Sequence, residues 1–81
     1  MVAKIVAVSQ VRGILATYWE VDFLIEAERG APAEHSVSVD EAISLANRAE
    51  LGPVAIMCRA IGSTPATRLG ELVGQCYTSI N

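Results

Sequence analysis

Four carboxylates fall at alternate positions on either side of Leu24 in one stretch of the chain: Glu20, Asp22, Glu26 and Glu28. On an extended strand, alternate residues share a face, with nearest same-face neighbours about 6.6–7 Å apart along the chain. Carboxylates so placed can share a hard cation, act as acid and base, or offer negative charge to a basic partner. A cation needs further ligands, and acid–base work needs a site that drives two acidities apart. No motif in the chain supplies either. The functional role that remains is an acidic strand face that binds a partner, set against the many such faces that are merely solvated.

A second cluster lies around Gly62-Ser63-Thr64-Pro65. If a helix opens there, its free amides and the positive end of its dipole favour an anion. Arg59 precedes the turn and Arg68 follows it, so Arg59, Ser63, Thr64 and Arg68 form a candidate phosphate or carboxylate site. Pro65 removes one amide, and the Gly-Lys pair of a Walker loop is missing. Arg59 also interrupts an otherwise apolar run, and Glu20, Asp22 and Glu26 are its expected structural partners.

The possible nucleophiles are Cys58 and Cys76, with His35 as the only base of its kind. There is no Cys-x-x-Cys and no zinc spacing, so two reduced, packed thiols are expected, with no metal and no cofactor. The four aromatics, Tyr18, Trp19, Phe23 and Tyr77, are not interleaved with basic residues, which argues against a stacking platform for nucleic acid.

The elements that would carry these residues follow from periodicity. Val2–Val8 is rich in β-branched residues and reads as a first strand. From Trp19 onward the odd positions are Trp, Val, Phe, Ile and Ala, and the even ones are mostly acidic. That alternation predicts a half-buried strand, starting near Ile14 and long enough to need a bulge. After a Gly30–Ala33 loop, His35–Val39 reads as a returning strand with Ser36 and Ser38 facing outward. Ser38 with Glu41, or Asp40 directly, caps a helix lined by Ala42, Ile43, Ala46 and Ala49 and closed by Gly52-Pro53.

The apolar run Val54–Ile61 predicts a central strand covered on both faces. A last helix from Ser63 or Thr64 would bury Ala66, Leu69, Leu72, Val73, Cys76, Tyr77 and Ile80. Within it, Gly70 and Gly74 would permit close approach of the first helix or of a second copy. The resulting expectation is one α+β domain over residues 1–81. It is a two-layer sandwich, β-β-β-α-β-α, with two helices on one face of a four-stranded, mainly antiparallel sheet.

Composition narrows the function. At 81 residues with 52% hydrophobic and 19% charged residues, the chain has ample apolar surface to fold and too little charge for disorder. A domain this small hides only about 60–65% of its unfolded surface, so grouped apolar residues left outside point to a homodimer or a lasting complex. No run reaches the roughly 18 apolar residues of a membrane span, and the N-terminal stretch makes a poor signal peptide, so a cytoplasmic chain is expected.

Eight of the nine carboxylates lie between residues 20 and 50, opposed there by Arg29 and Arg48 alone. This segregation, with a net charge of −3, disfavours nucleic acid and suits a basic protein surface. The leading expectation is a non-enzymatic regulator or inhibitor that docks on another protein, in the size range of short accessory proteins of bacteria and phages. The alternative is a small oligomeric ligand-binding domain or enzyme using the anion site at the start of the last helix.

Overall fold

The computed structural model describes residues 1–48 and 52–78, so Ala49 of the expected first-helix stripe and Ile80 of the expected last helix lie outside the described residues. Four strands form one sheet: β1 (Val2–Arg12), β2 (Thr17–Glu26), β3 (Ala33–Ser38) and β4 (Cys76–Thr78). Their order is β3-β2-β1-β4, and every neighbouring pair is antiparallel. Two helices, α1 (Val39–Ala46) and α2 (Pro53–Gly62), and a 3₁₀ helix (Ala66–Leu72) complete the α+β fold.

The long β1–β2 hairpin is the frame. Its register runs from Val2 opposite Glu26 to Arg12 opposite Thr17, with a bulge between Ile5 and Ala7. The extra residue keeps both halves of β1 in phase with the core: Ala3 and Ile5 face inward before it, and Val8 pairs with buried Val21 after it. The odd residues of β2 point inward as their alternation requires, with Val21 and Phe23 buried beside Val37 of β3. Ala42, Met57, Cys58, Ile61 and Leu69 close the core from the helical side. Burying one large apolar side chain contributes roughly 1.5–3 kcal/mol, so this layer carries the fold.

Ser38 ends β3 and caps α1, its hydroxyl accepting from the Glu41 amide at 3.2 Å. The run from 54 to 61 is a helix, whereas its sequence reads as a central strand. Gly52 and Pro53 do not close α1, which ends at Ala46 with Asn47 as its C-cap; they occupy the N-cap and first position of α2, where a missing proline amide costs nothing. Adjacent Met57 and Cys58 are both fully buried, which a helix flanked by the sheet on one side and α1 on another achieves.

The fourth strand comes instead from Cys76–Thr78, which pairs with Val2–Lys4. The expected long last helix stops early as a 3₁₀ helix, because Gly74 takes a left-handed φ of +92° that turns the chain back. Gly70 and Gly74 therefore form no helix-packing pair, and no side chain or backbone lies within 4 Å of either one's missing Cβ.

Candidate functional site: the open face of the sheet

With both helices on one side, the opposite face of the sheet has no covering layer among the described residues. The register determines what that face displays. Across it run Glu20, Asp22, Leu24 and Glu26 from β2, flanked by Glu34, Ser36 and Ser38 on β3 and by Val2, Lys4, Ala7 and Ser9 on β1. Four carboxylates thus share a surface with one ammonium group. Glu20 and Asp22 are half-buried in the middle, and Glu26 and Glu34 are exposed at the margin.

Asp22 is held in place by Ser36, whose hydroxyl donates to its carboxylate at 2.7 Å. Each residue pairs directly across the strand boundary, so Ser36 stands opposite Asp22 and Ser38 opposite Glu20. Near Glu20 the surface dips into a groove of about 430 Å³ between the hairpin and the start of α1, where Glu20, Asp40 and Glu41 meet Tyr18, Ser36 and Ser38. Among the described residues no group of three or more His, Cys, Asp or Glu is placed to hold a metal ion.

Of the four acidic residues singled out from the sequence, the structure brings three together. Glu28 lies beyond the end of β2 and outside the sheet. Glu34 belongs to the face and was not singled out. Extending the outward parity of Ser36 and Ser38 back by two residues would have found it.

The candidate anion site is placed differently from its premise. Ser63 is the C-cap of α2, and its amide donates to the Arg59 carbonyl. The turn therefore meets the negative end of a helix, and the helix that follows is a seven-residue 3₁₀ segment preceded by Pro65. Thr64 Oγ1 donates to the Ala60 carbonyl at 2.7 Å, and Arg68 Nε is paired with Glu71 at 2.7 Å. Arg59 sits exposed on α2, on the helical side of the sheet, whereas Glu20, Asp22 and Glu26 lie on the other side.

The thiols and the histidine do not assemble. Cys58 is buried in the core, where desolvation pushes its thiol above the ordinary range and suppresses the thiolate. Cys76 is exposed on the edge strand β4. His35 stacks on Phe23 with ring centroids 5.6 Å apart, a packing role at the β2–β3 boundary. Tyr77, next to Cys76, has its hydroxyl acidity weakened by burial first and by the Cys76 charge second.

One surface feature escaped the periodicity. The hairpin turns at Gly13–Ala16, leaving Ile14 and Leu15 fully exposed at its tip (103% and 98%). Gly13 is required there, because a Cβ would lie 2.7 Å from the Ala16 carbonyl oxygen. No helix among the described residues is long and apolar enough to cross a membrane. No protein-family model, curated protein or solved structure matches the chain.

Proposed function

We propose that this chain is a non-enzymatic binding protein that regulates or inhibits another protein by docking on a basic surface of it. The observation that supports this is the uncovered sheet face, on which Glu20, Asp22, Glu26 and Glu34 stand in register with Lys4 as the single opposing charge. A strand surface holds its side chains in fixed rows, so the negative potential is presented without the ordering cost of mobile loops. Half-buried Leu24 and Val2 between the carboxylates give a partner apolar area to desolvate.

The test is capture of a partner by the tagged chain, compared with the quadruple variant Glu20→Ser, Asp22→Ser, Glu26→Ser, Glu34→Ser. A partner bound through this face is lost from the variant and is released from the wild type as salt rises from about 0.1 M to about 1 M, where the screening length falls from roughly 10 Å to 3 Å. Equal recovery by both proteins refutes the proposal.

A further inference from the structure

On the edge of β1 opposite β2, strand pairing among the described residues is confined to its start. Strand β4 pairs with Val2–Lys4, and Ile5 closes the contact by donating to the Gln75 carbonyl (3.0 Å) and accepting from the Gly74 amide (2.8 Å). Beyond Ile5 no strand among the described residues lies on that side. The direction of the backbone groups follows from the turn. The Gly13 amide donates to the Ala16 carbonyl at 2.9 Å, so Gly13 faces β2 and, by alternation, so do Val11, Ser9 and Ala7. Val8, Gln10 and Arg12 then aim their amides and carbonyls away from β2, six polar groups with no strand beside them among the described residues.

Proteins usually blunt such edges with proline, charge or a bulge. The β3 edge follows that rule, with Pro32 ahead of it and Glu34 on it. The β1 edge is blunted less: its bulge lies before Ala7-Val8-Ser9-Gln10-Val11, which carries no charge and no proline, and Arg12 at its far end is its one charged residue.

We propose that this edge is a homodimer interface, in which β1 of a second copy adds antiparallel along Val8–Arg12 about a two-fold axis at Gln10. A second copy fits because the outward residues are three, spaced evenly about Gln10. The axis sets Gln10 against Gln10 and Val8 against Arg12, so all six groups on each copy are paired in one register and the guanidinium groups do not meet. The same register carries the second copy's Ile14 toward the turn at Val73–Gly74, which lies against Ile5 on this edge and where Val73 is 45% exposed. Exposed apolar residues from two distant parts of the chain thus meet. The two sheets join into one of eight strands, with both acidic faces on the same side.

This inference does not depend on the acidic-face proposal, and its test involves no partner. The mass of the purified full chain is measured by light scattering and by sedimentation up to about 100 µM, a range that reveals micromolar dimers. The expected wild-type mass is twice 8.6 kDa. Gln10→Pro removes an outward amide without touching a bond to β2, and Gln10→Glu sets like charges against each other at the axis. Each is expected to raise the dimer dissociation constant by at least about tenfold, with an unchanged far-ultraviolet circular dichroism spectrum. A wild-type mass of 8.6 kDa throughout, or an assembly that Gln10→Glu leaves intact, overturns the proposal.

Discussion

Gly70 and Gly74 are four residues apart, and substituting each with alanine is expected to have opposite effects. Gly70 lies within the 3₁₀ helix at a negative φ, with open space where its Cβ would go. Gly70→Ala therefore reduces the freedom of the unfolded chain without strain and is expected to stabilise by about 0.4–1 kcal/mol. Gly74 has the same open space but a φ of +92°. There alanine meets a left-handed backbone, at a cost of roughly 1–2 kcal/mol. The turn cannot relax freely, because the Gly74 amide bonds to Ile5 at 2.8 Å and the Gln75 amide bonds to Leu72 at 3.0 Å, and together these seat β4 on the sheet.

The two variants should thus differ by about 1.5–3 kcal/mol. In a domain of this size that corresponds to at least about 6 °C in Tm. Urea unfolding at 25 °C gives the free energies directly, and Gly74→Asn should recover part of the loss because asparagine tolerates this region. If residues 66–77 were instead one continuous helix with a Gly-x-x-x-Gly seam, the two alanines would act in the same direction. Effects of equal sign at Gly70 and Gly74 would refute the reasoning.

Two further outcomes test the core. Met57→Ala, at a fully buried position, is expected to cost about 2–5 kcal/mol in urea unfolding, whereas Arg59→Ala, exposed on the next turn face of α2, should cost far less than Met57→Ala. Similar losses at 57 and 59 would indicate the period of a strand. Burial raises the Cys58 thiol above its ordinary 9.0, so the folded state holds that proton more tightly than the unfolded state does. The corresponding stability is full below pH 9.0 and declines as pH rises through and beyond it. Tyr77 acts in the same direction above its ordinary 10.0, so Cys58→Ala and Tyr77→Phe should each flatten a different part of the alkaline limb. Alkylation of the native protein should label Cys76 alone, and labelling of Cys58 at the same rate would contradict its burial.

How far the sequence specified this structure depended on whether each segment buried one side or several. In β2, Trp19, Val21, Phe23 and Ile25 alternate with polar or acidic residues because one face is in the core and the other is open, and that contrast made both the strand and most of the acidic face legible. The Ser38 cap of α1 was legible for a similar reason, since a specific side-chain bond marks the boundary. Val54–Ile61 carries no such contrast. Packed by the sheet and by α1, its residues are apolar in nearly every direction, and a short apolar run is compatible with either period. Gly52-Pro53 is the signal that separates the two, because proline directly after a cap residue marks a helix start. The candidate anion site depends on the same ambiguity: with the helix lying upstream, the Ser63–Thr64 junction is a helix end and not a helix beginning.

The two proposed surfaces respond to different physics, and this lets each be tested with the other as its control. The open face works through carboxylates at or near the surface, so its binding weakens as salt shortens the screening length. The proposed β1 edge pairs amides with carbonyls, and its one charged residue, Arg12, stands opposite Val8 and not opposite a charge, so salt has little to screen there. An 81-residue chain with one helical layer can cover only one face of its sheet. Here the uncovered face carries four carboxylates, while the uncovered edge carries Arg12 alone. Charge on the face disfavours stacking of another sheet on it, and the scarcity of charge on the edge is what the proposed strand addition relies on. The association that survives high salt should therefore be the one abolished at Gln10, and the association lost in high salt should be the one abolished at Glu20, Asp22, Glu26 and Glu34. An exchange of those two sensitivities would mean that the surfaces have been assigned the wrong way round.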